Sequence, residues 1–198
     1  MIAVQIEIPI FPLSTVLFPG GLLPLRIFEQ RYLDMTKACI RDASPFGVCL
    51  LREGVEVGAP AVPFPVGCTA LIEDWEMPHL GLFHLVCRGT SVLRIAERWT
   101  TRSGLIRATV DIAQGPAPLL LPAAHQPLAD LLRKIIDKSG AERFPSPLRL
   151  DDADWVAFRL GEVLPLEPEL RQRLLEAPDA LARLEQLRAL LDDRSVRE

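Results

Sequence analysis

Apart from one helical stretch at residues 29–41, the spacing of apolar residues along this 198-residue chain changes near residues 114–122. Before that point apolar and polar residues alternate in short runs, which indicates β-strands. After it apolar residues recur at intervals of three and four, which indicates amphipathic α-helices. This order predicts an α+β chain with a β domain at residues 1–118 and a helical bundle domain at residues 119–198.

The first part predicts a small β-barrel or pseudo-barrel with one helix. The helix runs from about Glu29 to Arg41, where the apolar face has helical spacing. Pro12, Pro19 and Pro24 are expected to break residues 11–25 into short extended pieces. Strands are predicted at residues 4–10, 46–52, 66–76, 81–89, 91–99 and 104–112.

The last two predicted strands read as a hairpin over residues 100–103. Leu93 and Ile95 would face inward, opposite Ala108 and Val110. The outward positions would carry Arg94, Arg98, Arg107 and Asp111.

The second part predicts helices at about residues 125–138 and 167–176, one that begins after residues 151–154 and runs through Val163, and a last helix from near Pro178. The acidic residues 151–154 suit a helix start, and Gly140 suits a helix end. The last helix is expected to pack through its leucines, and it could also serve a homodimer. These leucines are Leu181, Leu184, Leu187, Leu190 and Leu191.

Composition excludes several classes of protein. No apolar run approaches the roughly 18 residues of a membrane-spanning helix, and the first residues do not form a signal peptide. The formal net charge of −4 argues against bulk nucleic-acid binding. The widely spaced cysteines predict buried, reduced thiols and a cytoplasmic protein. They are Cys39, Cys49, Cys68 and Cys87.

The common catalytic and cofactor motifs are absent from the sequence. There is no phosphate-binding GxxxxGK[ST], no GxGxxG, no HExxH and no GxSxG. His79 and His84 lie near Cys68 and Cys87 in sequence, but their spacing matches no common zinc ligand set. We therefore predict no catalytic residues, no metal and no cofactor.

Arginines concentrate in the hairpin region, against few acids. With Trp99 they could form a small nucleic-acid face. The favoured interpretation is an outward sheet face that keeps the protein soluble, because the patch is short and poor in aromatic residues. The alternative nucleic-acid face consists of Arg94, Arg98, Arg102 and Arg107.

Residues 8–35 carry three short motifs in order: Phe11-Pro12-Leu13, Phe18-Pro19-Gly20, and IFEQRY at residues 27–32. Phe46-Gly47 follows them. This order resembles the start of the amino-terminal, substrate-recognition domain of the Lon protease family, and the helical tail resembles the end of that domain. The sequence departs from the family where residues 91–94 read SVLR instead of the usual Gly-Arg-Phe pattern.

The resemblance implies a PUA-like β pseudo-barrel followed by a small helical bundle. It also implies a non-catalytic module that binds unfolded or target polypeptides, or a partner protease. Because the sequence ends at Glu198, we expect neither the ATPase nor the peptidase of Lon proteases. The aromatic motif residues Phe11, Phe18, Phe28 and Tyr32 are expected to fill the core.

A protein-binding surface is expected in apolar loops, because loops carry function more often than framework does and exposed apolar patches mark protein contacts. The residues chosen on this ground are Leu22, Leu23, Pro24, Leu25, Phe64, Trp75 and Leu80.

Overall fold

A computed structural model describes residues 4–56, 58, 61–113 and 118–195. These residues form a six-stranded sheet and five α-helices, which confirms the predicted α+β class. The chain divides into two compact units, Met1–Gly115 and Pro116–Glu198. The boundary at residues 118/119 stays a prediction, since residues 114–117 of the predicted linker lie outside the described residues.

In the first unit, one sheet closes on itself. Strand β5 pairs with β4 on one side, and with β2 and then β6 on the other. Strand β1 runs parallel to β3 and antiparallel to β6, so β1, β3, β4, β5 and β6 complete a barrel. The elements are β1 (Val4–Leu13), β2 (Leu22–Ile27), α1 (Gln30–Asp42), β3 (Phe46–Glu53), β4 (Val62–His79), β5 (Leu82–Thr100) and β6 (Ile106–Ile112).

Two apolar clusters fill this unit. One joins the barrel strands around Ile10, Leu93 and Val110, which are fully buried. The other joins α1 to the sheet, and its members include Tyr32 and Phe46. The sequence-predicted apolar face of α1 is confirmed, because the buried helix positions recur at intervals of three and four.

The strand boundaries differ from prediction in two places. The segments predicted at residues 81–89 and 91–99 are one strand, because pairing with β4 continues from Gly89 to Val92 through a bulge. Residues 22–27, expected as broken pieces around Pro24, form the regular strand β2. The predicted hairpin exists, with Ile95 opposite Val110, but Leu93 lies opposite Ile112.

The aromatic motif residues do not all enter the core. Phe11 packs on Tyr32 with ring centroids 4.1 Å apart, and Phe18 is fully buried. The prediction for Phe28 is wrong: its side chain follows the end of β2 and is 57% exposed. It therefore belongs to the surface and not to the framework.

The second unit consists of packed helices. Helix α3 contacts α2, α4 and α5. Asp152 begins α3 as predicted, because its carboxylate accepts the Trp155 backbone N–H at 3.0 Å. The α-helices are α2 (Gln126–Ser139), α3 (Ala153–Val163), α4 (Pro168–Glu176) and α5 (Ala180–Ser195), with short 3-10 helices at Ala123–His125 and Ala141–Arg143.

The packing face of α5 contains the predicted Leu184 and Leu187 together with an arginine that was not predicted there. Leu184 and Leu187 are fully buried, but Leu181 is exposed and Arg183 is buried. The Arg183 guanidinium donates to the Leu174 carbonyl at 2.8 Å and to the Asp154 carboxylate at 2.7 Å. These partners satisfy the guanidinium and so allow it to be buried beside the leucines.

Candidate functional site

A three-stranded extension of the sheet carries most of the predicted binding residues. Strand β4 pairs with β3 only as far as Ala70. Beyond Ala70 it pairs with β5 alone, and β5 in turn pairs with β2. Among the described strands, β2, β5 and the end of β4 therefore form a flat surface beside the barrel.

The register gives this extension two different faces, because directly opposite residues of antiparallel strands point to the same side. The core-facing side carries rows such as Leu25, Leu85 and Trp75. The other side, here called the outer face, carries three rows of one residue from each of β2, β5 and β4. These rows are Leu22–Arg88–Leu71, Pro24–Val86–Asp74 and Arg26–His84–Glu76.

Of the predicted binding residues, only Leu80 lies in a turn as expected; the others lie in strands β2 and β4, so the loop placement is wrong for them. In β2 they are divided between the faces: Leu22 and Pro24 lie exposed on the outer face, whereas Leu23 and Leu25 pack against the core. They alternate because successive strand residues point to opposite sides. Whether any of them binds a partner stays a prediction.

The end of the β4–β5 hairpin, residues 75–80, exposes three large apolar side chains. Trp75 is 49% exposed, Met77 47% and Leu80, in the turn, 96%. The Trp75 ring contacts Phe83 edge-on with centroids 5.8 Å apart, so the ring is held in place. Phe64 lies eleven residues from Trp75 on the same strand, roughly 35 Å away at an ordinary strand rise, and does not join this patch.

An apolar cleft opens in the same unit, with a volume of about 300 Å³. Its acidic residues are both engaged: Glu56 accepts the Ser14 N–H, and Glu29 pairs with Arg31 at 3.1 Å. Arg31 also donates to the Gly104 carbonyl at 3.1 Å. The cleft is therefore an apolar recess with a polar rim. Its lining residues are Phe11, Leu13, Pro24, Leu25, Arg26, Ile27, Phe28, Glu29, Tyr32 and Glu56.

Several residues of this surface were not identified from the sequence. Leu71 and Val86 are exposed on the outer face, and Phe28 lines the cleft. Leu71 and Val86 belong to apolar runs that read as buried strand. Only the strand alternation, with the bulges placed, could have assigned them to the outer side.

Charged groups on the outer face pair across strands. Arg88 pairs with Glu73, with a second contact at 2.9 Å, and donates to the Gly20 carbonyl at 3.2 Å. His84 Nδ1 lies 2.9 Å from the Glu76 carboxylate. These exposed pairs orient side chains and contribute little stability.

The four hairpin arginines do not share one face. A bulge between Ile95 and Glu97 changes the register so that Arg98 lies opposite Ala108, but the Arg98 side chain is exposed, as predicted. Arg107 pairs with Glu7 at 2.8 Å, Arg94 lies opposite Asp111, and Arg102 is exposed in the turn. Nucleic-acid binding by this set stays a prediction.

The thiols are buried, as predicted, and burial raises the pKa of Cys49 and of Cys87 to about 12. Thiols in this state are poor nucleophiles. Within the described residues, no group of three or more His, Cys, Asp or Glu is placed to hold a metal ion. No described helix combines the length and hydrophobicity needed to cross a membrane.

Comparison with known proteins places this α+β module among the N-terminal domains of Lon type. The family model of the ATP-dependent protease La (LON) substrate-binding domain matches residues 7–193. A crystal structure of a Lon N-terminal domain protein from Xanthomonas campestris has 36% identity and a TM-score of 0.79, covering 93% of this chain and 98% of that one. The chain belongs to the Lon substrate-binding domain family.

More distant relatives share the fold. The N-terminal domain of the Mycobacterium avium complex Lon protease has 19% identity and a TM-score of 0.65, covering 94% of this chain and 96% of that one. Lon protease 2 of Herpetosiphon aurantiacus is 26% identical over 96% of this chain, which corresponds to 24% of its own length. Lon protease 2 of Myxococcus xanthus is 27% identical over 93% of this chain and 23% of its own. The chain thus spans about a quarter of the length of these two Lon proteases.

Proposed function

We propose that this chain is a non-catalytic module that binds unfolded or target polypeptides through the hairpin end and the adjoining sheet extension. The observation that carries the proposal is the group of exposed apolar side chains at Trp75, Met77 and Leu80. Exposed apolar patches of this kind mark protein contacts. Membership of a family named for substrate binding supports the same reading.

The direct test is binding of a chemically unfolded, fluorescently labelled protein, compared with the same protein in its folded form. The unfolded form should bind, and Trp75→Ala should weaken its binding about tenfold, since aromatic residues at interface centres contribute on the order of 1–2 kcal/mol. Trp99→Ala is the matched control, because Trp99 is also an exposed tryptophan but lies near the far end of β5, away from the hairpin end.

Equal loss in both variants, or equal binding of folded and unfolded protein, would contradict this assignment. Circular dichroism of each variant shows whether the fold is retained, because Trp75 also packs on Phe83. Trp75→Phe keeps an aromatic ring at this contact and should keep most of the binding.

A cytoplasmic location and a partner protease are further parts of the proposal. The buried thiols are compatible with a reducing compartment. Degradation of an unfolded protein by a complete Lon protease, with and without this chain, separates two roles: delivery raises the rate, and sequestration lowers it. The homodimer predicted from the last helix is tested by sedimentation.

A further inference from the structure

The outer edge of β4 beyond Ala70 has no neighbouring strand among the described residues. Residues 71–79 pair only with β5. A strand edge without a neighbour presents backbone groups that another extended chain can pair with. Pro78, which has no N–H, limits the usable edge to Leu71–Met77.

The direction of the backbone groups at Trp75 follows from the hydrogen bonds around Gly89. Gly89 N–H donates to the Gly21 carbonyl at 2.9 Å, and the Gly89 carbonyl accepts from Gly20 N–H at 2.7 Å. Alternation along β5 then turns the backbone of Leu85 toward β2 as well. Trp75 lies opposite Leu85, so its own N–H and carbonyl point away from β5, to the free edge.

One of these two groups is already engaged. The Asp74 carboxylate accepts the Trp75 N–H at 2.9 Å. The Trp75 carbonyl therefore remains as an acceptor for an incoming strand, with a carboxylate beside it. A strand arriving here meets an anionic group next to an apolar ring.

The negative charge of this edge determines which kind of polypeptide segment can pair with it favourably. Residues 71–79 contain Glu73, Asp74 and Glu76 and no Lys or Arg, which is a formal charge of −3 with His79 neutral. Only Glu73 has an arginine partner, Arg88. A second copy of this edge would place like charges opposite each other, which is unfavourable. A basic segment would meet opposite charges.

We propose that the edge Leu71–Met77 takes up an extended, basic polypeptide segment as an additional strand, with apolar side chains of the segment against Trp75 and Met77. This inference rests on the proposed function and adds the substrate class: segments in which Lys or Arg alternates with large apolar residues. The strand edge supplies main-chain pairing, and the acidic side chains supply the preference for positive charge.

The test uses labelled peptides of equal length with identical Leu and Phe positions and with Lys, Gln or Glu at every intervening position. At low salt the Lys peptide should bind the full chain on the order of tenfold more tightly than the Glu peptide, because three exposed carboxylates each contribute a few-fold at most. The difference should shrink as salt is raised.

Asp74→Asn keeps an oxygen for the Trp75 N–H and removes one charge, so it should weaken the Lys peptide about two- to fivefold. Glu97→Gln is the matched control, since it removes one exposed charge elsewhere on β5, and it should leave binding unchanged. Asp74→Lys changes the formal charge of the edge from −3 to −1 and should reduce the preference for the Lys peptide further than Asp74→Asn does. Methylating alternate peptide nitrogens should abolish binding if the peptide is paired as a strand.

Three outcomes overturn the inference. Equal affinity of the three peptides would remove the charge preference while leaving polypeptide binding in place. Full binding by the N-methylated peptide would remove strand addition. Absence of binding by every peptide, together with absence of binding by the unfolded protein, would overturn the proposed function itself.

Discussion

The close approach of Gly89 to the segment before β2 makes a strong prediction about stability. A Cβ at position 89 would overlap the Phe18 carbonyl oxygen and would lie 3.1 Å from Cys68 Sγ. The obstructing oxygen is backbone and cannot rotate away. Gly89→Ala should therefore force the segment carrying Gly20 and Gly21 away from β5.

The expected cost can be worked from these contacts. Overpacking of this kind typically costs about 1–3 kcal/mol. The displacement also weakens the hydrogen bonds from Gly20 to Gly89 at 2.7 Å and from Gly89 to Gly21 at 2.9 Å, each worth about 1 kcal/mol. We expect a loss of about 2–5 kcal/mol in the free energy of unfolding, a large part of the roughly 5–15 kcal/mol of an ordinary protein.

Urea unfolding followed by circular dichroism measures this loss. Gly81→Ala is the comparison variant: Gly81 has φ 84° with open space around it, so an alanine there meets only backbone strain, roughly 1–2 kcal/mol. A loss for Gly89→Ala below about 1 kcal/mol, under the range for overpacking, would refute the close backbone approach. It would also refute the strand register from which the edge of β4 was derived.

Three further predictions concern the helical unit. Arg183→Met leaves the half-buried Asp154 without its partner and should cost about 3–5 kcal/mol in urea unfolding; Asp154→Asn in the same background should recover part of it. Burial raises the pKa of Glu162 from 4.5 to about 7, so the folded state holds this proton more tightly and stability falls as pH rises from about 4.5 to about 7. Because the side chain is 26% exposed, the fall is on the order of 2 kcal/mol, and Glu162→Gln should flatten the urea midpoint over that range. Asp152→Ala removes the acceptor for the Trp155 N–H and should cost about 1 kcal/mol, whereas Asp152→Asn should cost much less.

Local patterns in the sequence determined most of the framework. Alternation predicted β1 and β6, and the interval of three and four predicted α1 to α5 within a few residues. Pattern sufficed here because one face of each element is buried, so its period reports directly on its geometry. The motifs at residues 11–32 placed the chain in its family for the same reason, since turns need particular residues.

Only the tertiary structure determined the exact strand register and which side of a helix is buried, where these depend on residues of a neighbouring strand or helix. The bulge between Ile95 and Glu97 placed Arg98 opposite Ala108, and Arg183 joined the buried face of α5 while Leu181 stayed exposed. Neither is local, because a bulge needs its partner strand and a buried arginine needs the Leu174 carbonyl and the Asp154 carboxylate, which are distant in sequence.

The candidate binding surface was also predicted only in part from the sequence. Composition identified Trp75 and Leu80 as apolar residues near a turn, but it placed the whole set in loops. The outer face and the free edge of β4 exist only because β3 ends its pairing at Ala70 while β5 continues. The free edge depends on how far β3 and β5 each extend along β4. It therefore cannot be predicted from any single segment of the sequence.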